Sequence, residues 1–294
     1  MKKSKKTVYQ IVTDKITDLL ESGTAAWRKP WKSIHGTNGI RPMNYKTKRP
    51  YSGINFFLLL CEFDNPYFLT FKQVSEMGGK VIKGEKSTPV FYWNWMHLDA
   101  NGKKVKTREE ADKSIPFLRF YKVFNATQIE GIEFEMPPVV ELQNNEKIEK
   151  CEEIVNGCEN LTLEFMNKAK AYYSPSLDIV NMPRIKQFDN SEEYYSTLFH
   201  ELGHWTGHHS RLDRFKTGAR PAAFGSAEYS REELIAEMTS AFLCFDCQID
   251  LPKLVQNQAA YLQGWLTVLK ADVKMVVTAA AQAEKAAKYI YHVK

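Results

Sequence analysis

Five consecutive residues, His200-Glu201-Leu202-Gly203-His204, carry the most specific chemistry in this chain of 294 residues. On an α-helix, positions i and i+4 lie on one face. Two imidazoles so spaced converge on one ion, and the glutamate between them reaches the water beside it. With 7 His in the chain, chance supplies only about 0.01 such matches, so the motif reads as a metal site of the zinc type. Zn2+ held there lowers the pKa of a water towards ~7 and polarises a carbonyl while Glu201 moves the proton, which makes peptide hydrolysis the predicted chemistry. Mn2+ accepts the same His and carboxylate donors and stands as the alternative ion.

A catalytic ion of this kind needs a third protein ligand and an open position. His204-Trp205-Thr206-Gly207 begins the metzincin extension H-E-x-x-H-x-x-G-x-x-H, but Ser210 holds its last position and His208 and His209 fall out of register. The alternative is a carboxylate from a second helix. Residues 231–245 set Leu234, Ile235, Met238, Ala241, Phe242 and Phe245 on one apolar face, flanked by Glu233 and Glu237 four residues apart. That E-x-x-x-E spacing resembles gluzincin peptidases. It implies Glu233 as the third ligand and Glu237 as the acid that orients a histidine, with the two roles exchangeable. His208, His209 and Tyr229 are candidates to steady a developing oxyanion, and the sequence does not choose among them. Cys244 and Cys247 form a C-x-x-C without a second pair and read as two half-buried thiols.

These groups need elements to hold them. Asn190 with Glu193 three residues on has the form of a capping box, predicting a helix from there to about Gly207. Val255 to Lys270 and Val273 to Tyr291 read as two closing helices, so the second half is predicted mainly helical. The first half predicts an amphipathic helix over Thr7 to Leu20, helices over Ile54 to Phe63 and Phe71 to Glu76, and a β-rich run from Val81 to Val123 with Asn101-Gly102 at a hairpin tip. Gly79 and Gly84 have the spacing of a phosphate-binding loop, but Glu85 stands where its lysine must be, which excludes that reading. An acidic stretch around Pro137-Pro138 predicts a linker over 137–150. The fold class is α+β in two domains, 1–136 mixed and 151–294 mainly helical.

The net charge of +5 conceals two unlike halves. Residues 1–108 carry 20 Lys and Arg against 8 Asp and Glu, whereas residues 109–294 carry 20 against 27. The basic half suits a polyanion. Trp27-Arg-Lys-Pro-Trp31, Tyr45 to Tyr51 and Phe91 to Trp95 set rings beside cations in Pro-bearing, polar surroundings, which suits stacking by single-stranded bases. No apolar run approaches the ~20 residues of a membrane helix. The helix after the basic start carries Asp14, Lys15 and Asp18, unlike a signal peptide, and five cysteines make no disulfide framework. A cytoplasmic protein is expected.

Taken together, the chain resembles the ArdC family of plasmid-borne antirestriction proteins, related to the N-terminal part of conjugative TraC-type primases. The resemblance rests on Trp31, Arg41-Pro-Met-Asn44, Tyr51-Ser-Gly-Ile-Asn55, Thr70-Phe-Lys-Gln73 and Gly78 to Lys86. In the second half it rests on Phe199 to Gly207, Glu232 to Glu237 and the closing helices. The charged insertion Asp99 to Asp112 departs from it. The family implies an N-terminal single-stranded DNA-binding domain joined to a zincin-like metallopeptidase domain, acting when a mobile element enters a new host. Candidate DNA contacts are Trp27, Arg28, Lys29, Trp31, Arg41, Asn44, Lys46, Lys48, Arg49, Tyr51, Asn55, Lys72, Lys83, Lys86 and Trp93. Three readings follow: a protein that binds DNA and cuts a host protein, a protective DNA-binding module with a non-catalytic metal site, and a regulatory peptidase that cleaves a host protein with DNA as its guide.

Overall fold

The computed structural model describes residues 6–22, 40–63, 65–135, 144–165, 170–215, 226–249 and 258–292. Helix α1 (Val8–Glu21) starts at Thr7, whose hydroxyl accepts the Gln10 N–H at 3.2 Å. After the two-residue strand β1 (Met43–Asn44) and helix α2 (Ile54–Glu62) come β2 (Tyr67–Thr70), the short α3 (Phe71–Glu76), β3 (Lys80–Val81), β4 (Thr88–Leu98), β5 (Lys104–Val105), β6 (Lys113–Asn125) and β7 (Ile129–Glu130). Five of these strands form one sheet in the order β1-β2-β6-β4-β5. Its spine is the antiparallel β4/β6 pair, in register from Thr88 opposite Val123 to Leu98 opposite Lys113. Gly102, at φ +77, lies in the turn between β4 and β5, where the sequence predicts a hairpin tip.

The second half holds α4 (Asn144–Asn156), α5 (Ser191–Trp205), α6 (Ala227–Cys247), α7 (Gln258–Ala271) and α8 (Met275–His292). It also holds a three-stranded sheet of β8 (Thr162–Glu164), β9 (Tyr172–Ser174) and β10 (Ile179–Asn181), which the helical reading missed. Residues 144–150, predicted as linker, are the first turns of α4. The acidic composition hid a helical apolar row, Ile148, Cys151, Ile154 and Val155, that packs into the core. The remaining linker residues to 143 lie outside the described ones. No helix among the described residues is long and apolar enough to cross a membrane.

The two halves share one core. Val12, Ile16 and Leu20 of α1 and Phe56, Phe57 and Leu60 of α2 belong to the same buried cluster as Trp205, Phe242 and Phe245. The Phe56 ring lies 4.9 Å from Phe242 and 5.0 Å from Phe245, centroid to centroid. Polar contacts cross the same seam. The Arg41 guanidinium grips both Asp246 carboxylate oxygens, with Nε–Oδ1 at 3.0 Å, and the Tyr291 hydroxyl donates to the same carboxylate. The N–H of Gly53 donates to Glu284 on α8 at 2.9 Å.

Contacts within the protein already engage four of the predicted DNA-contact residues. Arg41 is committed to Asp246 and lies over the Phe56 and Phe242 rings. Asn44 pairs with Gln73 and accepts the Thr47 N–H, and Asn55 holds both the N–H and the carbonyl of Phe91. Tyr51 is packed against Phe68. The motif residues that look polar and available in sequence are here the ones that fix a turn, a helix start and a seam.

Candidate metal centre

Helix α5 carries the two histidines. Asn190 accepts the Glu193 N–H at 2.8 Å, as a cap should, while the Glu193 carboxylate takes the N–H of Asp189 instead of closing a capping box. Leu198, Phe199, Leu202 and Trp205 face the core, which leaves His200 and His204 turned towards α6. The two helices touch at Gly203. A Cβ there would stand 2.9 Å from the Cα of Ala236, so glycine inside the motif is what permits the approach. Two turns earlier on α5, the Ser196 carbonyl accepts Ser240 Oγ at 2.7 Å. Helix α6 is capped by Ser226 and begins at Ala227, four residues before the predicted start, so Tyr229 lies one turn ahead of Glu233.

This contact brings His200, His204 and Glu233 together. The two Nε2 atoms are 3.2 Å apart; Glu233 Oε2 is 3.5 Å from His200 Nε2 and its Oε1 is 3.6 Å from His204 Nε2. Donors about 2.1 Å from an ion at the tetrahedral angle stand about 3.4 Å apart. The spacing and the N,N,O donor set therefore fit Zn2+, and Mn2+ takes the same donors. The far edges of the rings fit as well. His200 Nδ1 faces Glu237 Oε1 at 3.8 Å and His204 Nδ1 faces Glu232 Oε1 at 3.2 Å, so a carboxylate backs each ring on the side away from the shared point. Glu237 thus lies where an orienting acid is expected, and Glu233 where a ligand is.

Sequence reasoning missed Glu232 and Arg214. Glu232 was one more acid in an acidic run, and Arg214 lies ten residues beyond His204 with no spacing rule to connect them. In the structure Arg214 clamps Glu232 with Nε–Oε2 at 2.9 Å and Nη2–Oε1 at 2.8 Å. Glu201 is buried at 7% exposure. Of the three candidates for the oxyanion, Tyr229 hydrogen-bonds Glu233, while His208 turns to Ser210 Oγ at 2.8 Å and to Asp178.

The charges of the centre act on one another. Burial opposes charge on His200, but the Glu233, Glu237 and Glu201 carboxylates outweigh it and push the imidazole up to about 9. Burial raises Glu232 and Glu233, yet Arg214 and the histidines hold both below the usual carboxylate range. Burial and then the Glu233 charge push the Tyr229 phenol up to about 12, so it keeps its proton and donates it. Cys244 and Cys247 are fully buried, more so than the half-buried thiols expected, and Cys247 hydrogen-bonds Cys151.

The remaining DNA candidates scatter. Trp27, Arg28, Lys29 and Trp31 lie outside the described residues. Arg49, Lys83 and Lys86 are exposed, Lys46 and Lys72 pair with Glu76, and Lys48 lies 3.7 Å over the Tyr45 ring. Trp93 is 43% exposed, edge-on to Tyr9. The β4/β6 register also sets Tyr92, Tyr121, Arg119 and Phe117 on one sheet face, none of them singled out as a DNA contact in the sequence. Tyr92 and Tyr121 are exposed with centroids 5.6 Å apart, and the Arg119 guanidinium lies 5.1 Å from the Phe117 ring. Strand alternation with a known register would have found this row.

Residues 6–124 match the family model of the N-terminal domain of anti-restriction factor ArdC, and residues 149–282 that of zincin-like metallopeptidases. Two crystal structures of the antirestriction protein ArdC from plasmid R388, one metal-free and one Mn(II)-bound, superpose with a TM-score of 0.74 each. They are 34% and 33% identical and are matched over 97% of both chains. The DNA primase TraC of Escherichia coli is 35% identical over 99% of this chain, which spans only 27% of that protein. The protein y4eC of Sinorhizobium fredii is 31% identical over 97% of this chain and 91% of its own length. With both of its halves matched in that order and an HExxH helix facing a glutamate on α6, this chain belongs to the ArdC family of antirestriction proteins and carries a zincin-like metallopeptidase domain.

Proposed function

We propose that this protein holds single-stranded DNA on its N-terminal half and hydrolyses a peptide bond at a metal centre formed by His200, His204 and Glu233. The observation that carries the reading is the convergence of those three side chains, each imidazole backed by a carboxylate. A bound divalent ion, Zn2+ or Mn2+, supplies Lewis acidity to the scissile carbonyl and acidity to the attacking water. Glu201, between the two histidines, takes the proton from that water and returns it to the leaving amine. Tyr229, protonated and beside Glu233, donates to the oxyanion as the carbonyl carbon becomes tetrahedral.

For DNA, the supporting observation is the row of Tyr92, Tyr121 and Arg119 on one sheet face, with Trp93 and Trp95 of β4 exposed on the opposite face. Rings that bases stack on, beside a cation, hold a single strand without reading its sequence. The setting follows from the resemblance to R388 ArdC: a mobile element entering a restricting host. The test is the survival of incoming plasmid DNA in a restricting host carrying wild type, Glu201→Gln or the double variant Tyr92→Ala/Tyr121→Ala. Loss of protection in both variants supports the joint reading. Protection kept by Glu201→Gln overturns the catalytic part and leaves a protective DNA-binding module.

A further inference from the structure

We propose that Arg214 is the positioning residue of this centre, acting on His204 through Glu232; the inference rests on His204 being a metal ligand. Arg214 comes from the loop that follows the HExxH helix. Gly207 turns that loop back, its carbonyl accepting the N–H groups of both Arg214 and Phe215 at 2.9 Å. A Cβ on Gly207 would meet the Phe215 ring at 2.5 Å and Arg214 Nη2 at 3.0 Å. The glycine that only begins a metzincin extension in sequence is thus the space into which the Arg214 side chain folds.

Once there, the guanidinium uses all of its nitrogens. Nη2 donates at 2.6 Å to the Gly203 carbonyl, which also accepts the Thr206 hydroxyl at 2.7 Å at the end of α5, and Nη1 donates to Thr206 Oγ1 at 2.9 Å. Nε and Nη2 grip Glu232, and Glu232 Oε1 receives His204 Nδ1–H at 3.2 Å. Arg214 therefore bonds the end of α5 and the start of the acidic run on α6 at once, and it fixes the carboxylate that decides which ring nitrogen of His204 holds the proton. With Nδ1 as the donor, Nε2 keeps its lone pair towards His200 and Glu233. A lysine at 214 keeps one charge but cannot bridge three acceptors in a fixed plane.

The experiment is a Mn2+ titration of the full chain, followed calorimetrically, for wild type, Arg214→Lys, Glu232→Gln, the double variant and His200→Ala. Expected is one site in wild type, none in His200→Ala, and an affinity loss of roughly 10- to 100-fold in each of Arg214→Lys and Glu232→Gln. The double variant is expected to lose no more than Glu232→Gln alone, because both changes break one path. Long-range proton–nitrogen NMR of the histidines in protein loaded with diamagnetic Zn2+ is expected to show the His204 Nδ1–H tautomer in wild type and its exchange-broadening in Arg214→Lys. Wild-type affinity in Arg214→Lys, or additive losses with an unchanged His204 signal, overturns the positioning role while leaving the metal centre standing. Equal binding by wild type and His200→Ala overturns the centre itself, and the inference with it.

Discussion

Replacing Gly203 by alanine tests whether the helix contact sets the ligand geometry. The new Cβ meets the Ala236 Cα at 2.9 Å and its Cβ and carbonyl oxygen at 3.3 Å, all on the facing helix. Backbone cannot swing aside as a side chain can, so α5 and α6 must part by about 0.5–1 Å to restore ordinary contact near 3.4–4 Å. Overpacking of this kind costs about 1–3 kcal/mol, and alanine in place of glycine inside a helix returns about 1 kcal/mol. The net loss of stability is thus about 0–2 kcal/mol, and the variant folds. The His200 and His204 donors, now 3.5 and 3.6 Å from Glu233, move apart by the same distance, several times the ~0.2 Å latitude of a metal–ligand bond. Mn2+ affinity by titration calorimetry is expected to fall at least about tenfold with a near-native urea midpoint. Adding Ala236→Gly is expected to recover little, since the closest atom is Cα. Wild-type affinity in Gly203→Ala would show that the close approach does not determine the centre, and a full rescue by Ala236→Gly would show that the argument has the wrong atom.

Other outcomes follow from the same contacts. His200, raised to about 9 by its carboxylate neighbours, stabilises the metal-free fold fully below its ordinary pKa near 6.5 and loses that contribution as pH rises through 9. The melting temperature of chelator-treated protein is therefore expected to fall across that window, and Mn2+ binding at pH 7.5 to release close to one proton, measured as buffer-dependent binding heats; no release contradicts this. Arg41→Ala leaves Asp246 without its cation at the seam and is expected to cost roughly 2 kcal/mol or more in urea unfolding, below the 3–5 of a fully buried pair because both side chains keep some solvent. Because Arg41 serves the seam, its loss is expected to leave single-stranded DNA affinity of the folded chain unchanged, whereas Tyr92→Ala/Tyr121→Ala is expected to weaken it by ~1–3 kcal/mol per base unstacked, read by fluorescence anisotropy over a salt series. The full chain is needed for that assay, since α1 and α2 bury their apolar faces against the helical half.

Local patterns were legible in the sequence and long-range ones were not. Apolar spacing located α1 and the capping signal at Asn190 located α5, because both are read within one stretch of chain and survive any tertiary context. The i, i+4 spacing of His200 and His204 and of Glu233 and Glu237 delivered the four groups to two helix faces, and the contact at Gly203 turned those faces together. What spacing could not reveal was contact across the chain. Arg41 and Asp246 are 205 residues apart, and nothing near either marks the other as its partner. Asn44 and Asn55 looked like polar surface because their partners are backbone groups and a distant glutamine. Likewise the acidic start of α4 read as linker because its charges outnumbered the four residues that pack. Tyr92 and Tyr121 needed the β4/β6 register before they shared a face.

The most direct test of the centre is a crystal structure of the full chain grown with Mn2+, with an anomalous difference map recorded for manganese. A single peak bonded to Nε2 of His200, Nε2 of His204 and a Glu233 oxygen, with Glu237 and Glu232 on the two Nδ1 atoms, is the expected result. A peak held by Glu237 in place of Glu233, or no peak between α5 and α6 at saturating Mn2+, contradicts the account.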